Sequence, residues 1–258
     1  MRRLATVVLI ALGAVIAGVV PAQGVVEHSL RVEVNADFAP HALPRKRLAP
    51  IEVQLGGSIS TTDGSRQPAL RELSIAMNRA GRISSVGLPT CSPRRLQQTT
   101  TEAALAACPG ALVGHGSFAA NVDFEGAPAI PAQGKVLVFN ARIDGRPGML
   151  LHLYGSQPVR AAFVLPFTVS HKRHGRFGTV FLARIPRLAS GIGYITKLQL
   201  KIGRRYGFKG ERRDFLSARC NLPSGFTELS FVLAKMTFAF EDGRRVIARP
   251  ERICRVRR

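Results

Sequence analysis

The chain has 258 residues and four cysteines, with 37 Lys and Arg against 16 Asp and Glu, a formal net charge of +21. That length can bury a sizeable core, and all-β units of this size commonly form one domain. The cysteines include no closely spaced pair of the C-x2-C kind, which argues against a zinc site and for two disulfides.

The chain opens as an exported protein does. Met1-Arg2-Arg3 is a short positive segment, Leu4 to Val20 an uncharged apolar run, and Val20-Pro21-Ala22 a small-residue cleavage site. A signal peptide over residues 1–22 is expected, with Gln23 as the first mature residue. Left uncleaved, the apolar run would sit at the lower edge of a spanning length. No later run is long enough to span a bilayer, so no stable membrane span is expected after cleavage. The first cysteine is Cys91, far from the cleavage site, which argues against a lipid-anchored lipoprotein.

Residues 23–258 read as a single β-rich domain. His28 to Asn35 alternates Leu30, Val32 and Val34 with polar residues, the period-two pattern of a half-buried strand. Residues 36–50 hold Pro40, Pro44 and Pro50 around Arg45-Lys46-Arg47 and read as an extended connection. Alternation resumes at Ile51, Val53 and Leu55. Asp63-Gly64 is a turn signal; it lacks the recurring oxygen ligands of a calcium loop. Leu73, Ile75 and Met77 mark the next strand, which Arg79 to Arg82 is expected to turn into a hairpin with Ile83 to Gly87.

Cys91 to Cys108 is the one helical stretch. Thr99 and Glu102 fit a capping box, and Pro109-Gly110 stops the helix. A single helix would hold the two cysteines about 25 Å apart, whereas a disulfide tolerates less than about 7 Å. If Cys91 and Cys108 are bonded, the segment doubles back, with a first turn from Ser92-Pro93 and a bend at Gln97 to Thr99. The 91–108 segment is then a helical flap clipped onto a β body. Four cysteines allow three connectivities, of which sequence proximity favours Cys91–Cys108 with Cys220–Cys254.

The ISTTDG run, Gly81-Arg82-Ile83, the GLPTC run ending at Cys91, Cys108-Pro109, Gly114-His115-Gly116 and the late FEDG are similar to a group of secreted, β-rich bacterial proteins of unassigned function. The resemblance implies a β-rich fold and transfers no catalytic residue.

Ala111 to Glu125 reads as a strand, Gly126 to Gly134 as a loop, and Val136 to Ile143 with Met149 to Tyr154 as a hairpin. Ala161 to Ile202 holds three further strands. One face of the first carries Ala161, Phe163, Leu165, Phe167 and Val169. The second presents Phe177 to Ile185 in alternation, and the third Tyr194, Thr196, Leu198, Leu200 and Ile202. Pro166 suggests an edge or a bulge, because proline cannot donate to a ladder. Phe226 to Phe240 is a long apolar run, Glu241 to Arg244 fits a two-residue hairpin turn, and Arg245 to Cys254 is the last strand. The tail from Arg255 is expected to fray.

Few residues suggest chemistry. His171 and His174 flank a basic turn without a third ligand, so no metal site is expected. There is no G-x-S-x-G, His115 and His152 lie in strands, and no pair among Asp123, Glu125, Asp144, Asp214 and Glu228 stands out for glycoside hydrolysis. Gly191-Ile192-Gly193 reads as a turn and not as a dinucleotide loop. No cofactor and no catalytic residue is assigned.

Gly203 to Phe215 is the most basic stretch. Arg204, Arg205, Lys209, Arg212 and Arg213 interleave with Tyr206, Phe208 and Phe215, a composition suited to anionic polymers. A hairpin with an arginine face turned outward and its aromatics packed inward reads the same residues without a ligand. Export makes a genomic partner improbable, so the anion expected is an envelope polymer and not a nucleic acid. The high charge favours such contacts, although 30 of the 37 basic residues are arginine spread along the chain and composition alone accounts for them as well.

The expectation is therefore an antiparallel β-sandwich-like single domain with one short disulfide-clipped helical segment. Its role is read as exported, non-enzymatic binding or structural work at the cell envelope, with a secreted hydrolase as the alternative. Oligomeric state is left open.

Overall fold

The computed structural model describes residues 23–124, 126–157 and 160–257, so the expected signal peptide lies outside the described residues. Before the flap come β1 (Gln23–Glu27), β2 (Leu30–Ala39), β3 (Ala42–Leu43), β4 (Ala49–Pro50), β5 (Glu52–Thr61), β6 (Leu70–Asn78) and β7 (Gly81–Ile83). Two short helices follow, α1 (Pro93–Leu96) and α2 (Thr101–Ala107). The middle of the chain gives β8 (Leu112–Val122), β9 (Ile130–Ile143), β10 (Arg146–Gln157), β11 (Ala161–His171), β12 (Phe177–Arg184) and β13 (Gly193–Ile202). The last part gives β14 (Arg205–Phe208), β15 (Glu211–Asp214), β16 (Leu216–Ala218), β17 (Glu228–Val232), β18 (Ala234–Phe240), β19 (Arg245–Ala248) and β20 (Glu251–Val256).

Twelve strands join one antiparallel sheet in the order β1-β2-β5-β13-β8-β9-β10-β11-β12-β6-β18-β19. Its two edges, β1 and β19, come alongside each other without ladder bonds, so the sheet is curled nearly closed. Directly paired residues share a face, which makes the inner wall legible from the register. Val34 pairs with Gly57, Gly57 with Leu198, and Leu198 with Phe118; Leu151 pairs with both Val138 and Leu165. Those rows are apolar and point inward, whereas Glu33, Gln54, Lys197, Gln199 and Lys201 point outward. A membrane barrel has the reverse arrangement, apolar outside and polar within. No helix among the described residues is long and apolar enough to cross a membrane.

Two small sheets, β4-β16-β7 and β17-β20-β3, fold over the barrel end where β2 and β6 finish. Phe38 packs against Phe231 at 6.1 Å between ring centroids, and the Asn78 amide donates to the Leu233 carbonyl at 2.9 Å. The Cys220–Cys254 disulfide ties this cap together, and Cys91–Cys108 closes the flap. No cysteine is free.

Several boundaries differ from the sequence reading. β6 does not turn back onto Ile83 to Gly87: its neighbours are β12 and β18, while β7 pairs with β16. The third strand of the central stretch, β13, leaves β12 and runs between β5 and β8. A register shift between Ile195 and Lys197 makes Thr196 an extra residue, so Ile195, and not Tyr194 or Thr196, belongs to the inward row. β2 runs on into the expected connection as far as Ala39, and β9 begins at Ile130 inside the expected loop. The apolar run from Phe226 divides at Leu233 into β17 and β18, and Arg249-Pro250 divides the last strand into β19 and β20.

The Glu241–Gly243 loop has three residues, with Gly243 at φ +86° and the Phe240 amide bonded to the Arg244 carbonyl at 3.0 Å. Pro166 sits where β11 is bonded to β10 alone, because the ladder with β12 begins at Phe167. The tail does not fray through Arg257: its amide donates to the Leu43 carbonyl at 2.8 Å, and β20 pairs in parallel with β3.

Candidate functional sites

The basic stretch folds as the β14–β15 hairpin, turned through Lys209 (φ +51°) and Gly210 (φ +78°). The pairing puts Tyr206, Phe208, Glu211 and Arg213 on one face, and Arg205, Gly207, Arg212 and Asp214 on the other. The aromatic face docks on the body. The Tyr206 hydroxyl donates to the Val86 carbonyl at 2.8 Å, and the Phe208 ring lies over Gly87, where a Cβ would overlap it. Phe215, at the base, is 1% exposed and belongs to the core. The opposite face is open, and a Cβ at Gly207 would meet nothing within 4 Å.

The five basic candidates separate by partner. Arg204 donates to the Gly110 and Leu112 carbonyls at 2.8 and 2.6 Å, anchoring the start of the hairpin. Arg213 pairs with Glu211 at 2.8 Å and lies over the Phe208 ring. Arg205 is 78% exposed and only loosely paired with Asp214, at 3.6 Å. Lys209, near the Phe208 ring, and Arg212 are exposed and have no carboxylate partner among the described residues.

The flap doubles back as the disulfide geometry demands, with α1 and α2 on either side of a bend at 97–100 and a Cα–Cα distance of 5.7 Å between Cys91 and Cys108. The cap of α2 is Thr100 and not Thr99: its side chain accepts from the Ala103 amide at 3.2 Å. Thr99 does different work. Its hydroxyl donates to the Leu96 carbonyl at 2.8 Å, and both its hydroxyl and carbonyl oxygens lie 3.0 Å from His152 Nε2. Leu96, Ala104 and the bridge cover the outer face of β9 and β10, packing on Leu137, Phe139 and Leu150. His152 is fully buried beneath them, and burial lowers its pKa from the ordinary 6.5.

Among the described residues, the histidines and carboxylates singled out in the sequence do not converge. Asp123 pairs with Arg66 at 2.8 Å and accepts from the Tyr194 hydroxyl at 3.2 Å; burial, first of all, raises the pKa of that hydroxyl. Asp214 faces Arg205, Glu228 pairs with Arg255 at 2.9 Å, Asp144 is in the β9–β10 turn, and Glu125 lies outside the described residues. His171 contacts the Thr179 hydroxyl at 3.3 Å. No group of three His, Cys, Asp or Glu among the described residues could hold a metal.

Two concavities escaped the sequence reading, because both depend on which strands pair. An outer cleft of about 540 Å³ lies beside the flap, where β13, β8, β9 and β10 bring Lys197, Gln199, Ser117, Lys135 and Tyr154 toward Glu102. A cavity of about 150 Å³ lies inside the barrel, bounded by inward rows of β5 and β13 on one side and of β6, β12 and β18 on the other.

No family model, no curated protein and no solved structure matches this chain.

Proposed function

We propose that this is an exported, non-enzymatic binding protein of the cell envelope that contacts anionic polymers through the open face and tip of the β14–β15 hairpin. The observation that carries the reading is the pair of exposed cations without carboxylate partners among the described residues, Lys209 and Arg212, beside the loosely paired Arg205. Docking of Tyr206 and Phe208 holds that face rigid and outward. Support for export comes from the sequence of residues 1–22 and from the two formed disulfides, which suit an oxidising compartment.

The test is retention of the mature, oxidised protein on immobilised polyphosphate and on isolated cell-wall polymer across a salt titration. Binding should weaken steeply with salt. The R205A/K209A/R212A variant should bind about threefold to a hundredfold more weakly, since each exposed contact contributes roughly 0.2–1 kcal/mol. Arg204→Ala, by contrast, should lower stability and leave binding largely intact, because that guanidinium is turned toward two carbonyls. Unchanged retention of the triple variant would remove the hairpin from the reading. A hydrolase would have to be built in the outer cleft; turnover of a cell-wall glycan, lost in Glu102→Gln, would favour that reading instead.

A further inference from the structure

We propose that the barrel interior is a binding site for an aliphatic chain. This goes beyond the surface contact above and rests on different residues, so either can fail alone.

The first observation is a mismatch between direction and burial. Val53 and Leu55 on β5, Ile75 and Met77 on β6, and Ile195 and Leu198 on β13 all point inward, yet all are only half-buried. Their free surface faces the cavity of about 150 Å³ that they line. Protein interiors close to crystal density and leave few voids larger than a water molecule, so an unfilled centre of this size is not what side-chain packing alone produces.

The second observation is how the space is kept. Gly57 stands in the inward row between Val34 and Leu198, and a Cβ there would meet only the Glu33 carbonyl oxygen, at 3.1 Å. The wall is therefore bare where its neighbours carry branched side chains.

The third is the residue type. The chain has four methionines, one of them Met1, and the other three, Met77, Met149 and Met236, all line this cavity. Methionine is flexible and polarizable, and it is favoured where an apolar surface must adapt to a guest.

The chemistry of the guest follows from the lining. Six polar residues also border the space: Glu33, Ser58 and Lys197 belong to the outward rows of their strands, Thr196 is the bulge residue of β13, and Asn78 and Arg219 lie toward the capped end. The Ser58 hydroxyl is bonded to the Glu33 carboxylate at 3.2 Å, and the Asn78 side-chain amide donates to the Val232 carbonyl at 2.8 Å. The inward groups are aliphatic, aromatic or thioether. Such a site stays dry and takes apolar molecules, and a cavity of this volume holds about six carbons. The guest is either a short free hydrocarbon or the end segment of a longer acyl chain.

The experiment is isothermal titration of the mature, oxidised protein with 1-alkanols from propanol to decanol. It is repeated on Leu55→Phe and Ile75→Phe, which fill the space from opposite walls. Affinity should rise roughly fourfold per methylene as far as about hexanol. A plateau from hexanol to decanol identifies a short hydrocarbon; continued gain identifies the end of a longer chain. Each Phe variant should weaken hexanol at least tenfold with an unchanged far-ultraviolet circular dichroism spectrum, and if one fails to fold the other is read. Affinity that does not depend on chain length, or a dependence that a folded Phe variant leaves unaltered, would overturn the proposal.

Discussion

At the scale of single residues, His152 shows how a side chain with no visible motif acquires a defined role. Its Nε2–H donates to Thr99, and its Nδ1 has no partner in the buried space beneath the flap. The neutral ring fits there and the charged ring does not, so folding lowers its pKa. Above the ordinary value of 6.5 the ring is neutral in both folded and unfolded chains, and the group does not tie stability to pH. As pH falls below that value the unfolded chain takes up the proton first, and stability drops until the folded form is protonated as well. Urea midpoints should therefore fall between pH 7.5 and pH 5 more in the native chain than in His152→Gln. An equal fall in both would place the acid sensitivity elsewhere. Sequence alternation places His152 in a strand. What it could not supply was the partner, because Thr99 is 53 residues away and reaches the ring only when the flap closes.

At the scale of elements, legibility followed locality. Period-two alternation identified most barrel strands, and the helical flap followed from setting the rise of a helix against the span of a disulfide. Pairing partners were out of reach, since β5 and β8, the neighbours of β13, both lie more than seventy residues earlier in the chain. The Thr99–Thr100 choice failed for a related reason: both hydroxyls can cap, and His152 on a distant strand takes one of them. The flap itself carries a prediction. With Cys91 and Cys108 both changed to Ser, loop closure no longer limits the unfolded chain, a loss of about 3 kcal/mol for a loop of this length. The small buried patch under the flap should then open before the barrel does. Hydrogen exchange should accelerate in residues 93–107 while β9 and β10 stay protected; simultaneous acceleration in those strands would make flap and barrel one cooperative unit.

At the scale of the whole molecule, the large positive charge and the apolar interior call for separate accounts. Part of the arginine content is structural: Arg45 donates to the Leu222, Pro223 and Phe226 carbonyls, Arg79 to those of Lys172, Gly175 and Phe177, and Arg204 to two more. Net charge thus overstates the cations available to a partner, and the β14–β15 hairpin is a better guide than the total. The interior poses the opposite problem. A void of about 150 Å³ left empty costs on the order of 3–4 kcal/mol at ~24 cal/mol per Å³. If the space is kept open for a guest, stability and binding should trade against each other at the same side chains. Leu55→Phe or Ile75→Phe should then recover about 1 kcal/mol in the ligand-free protein, a rise of about 2–4 °C in Tm for a chain of this size. The same variants should gain little from added hexanol, whereas the native chain should gain more. Calorimetric melting with and without hexanol measures both quantities. A folded Phe variant that melts lower than the native protein would mean that the walls have already closed on each other and that the ring is strained against them. In that case no space is held for a guest at these side chains.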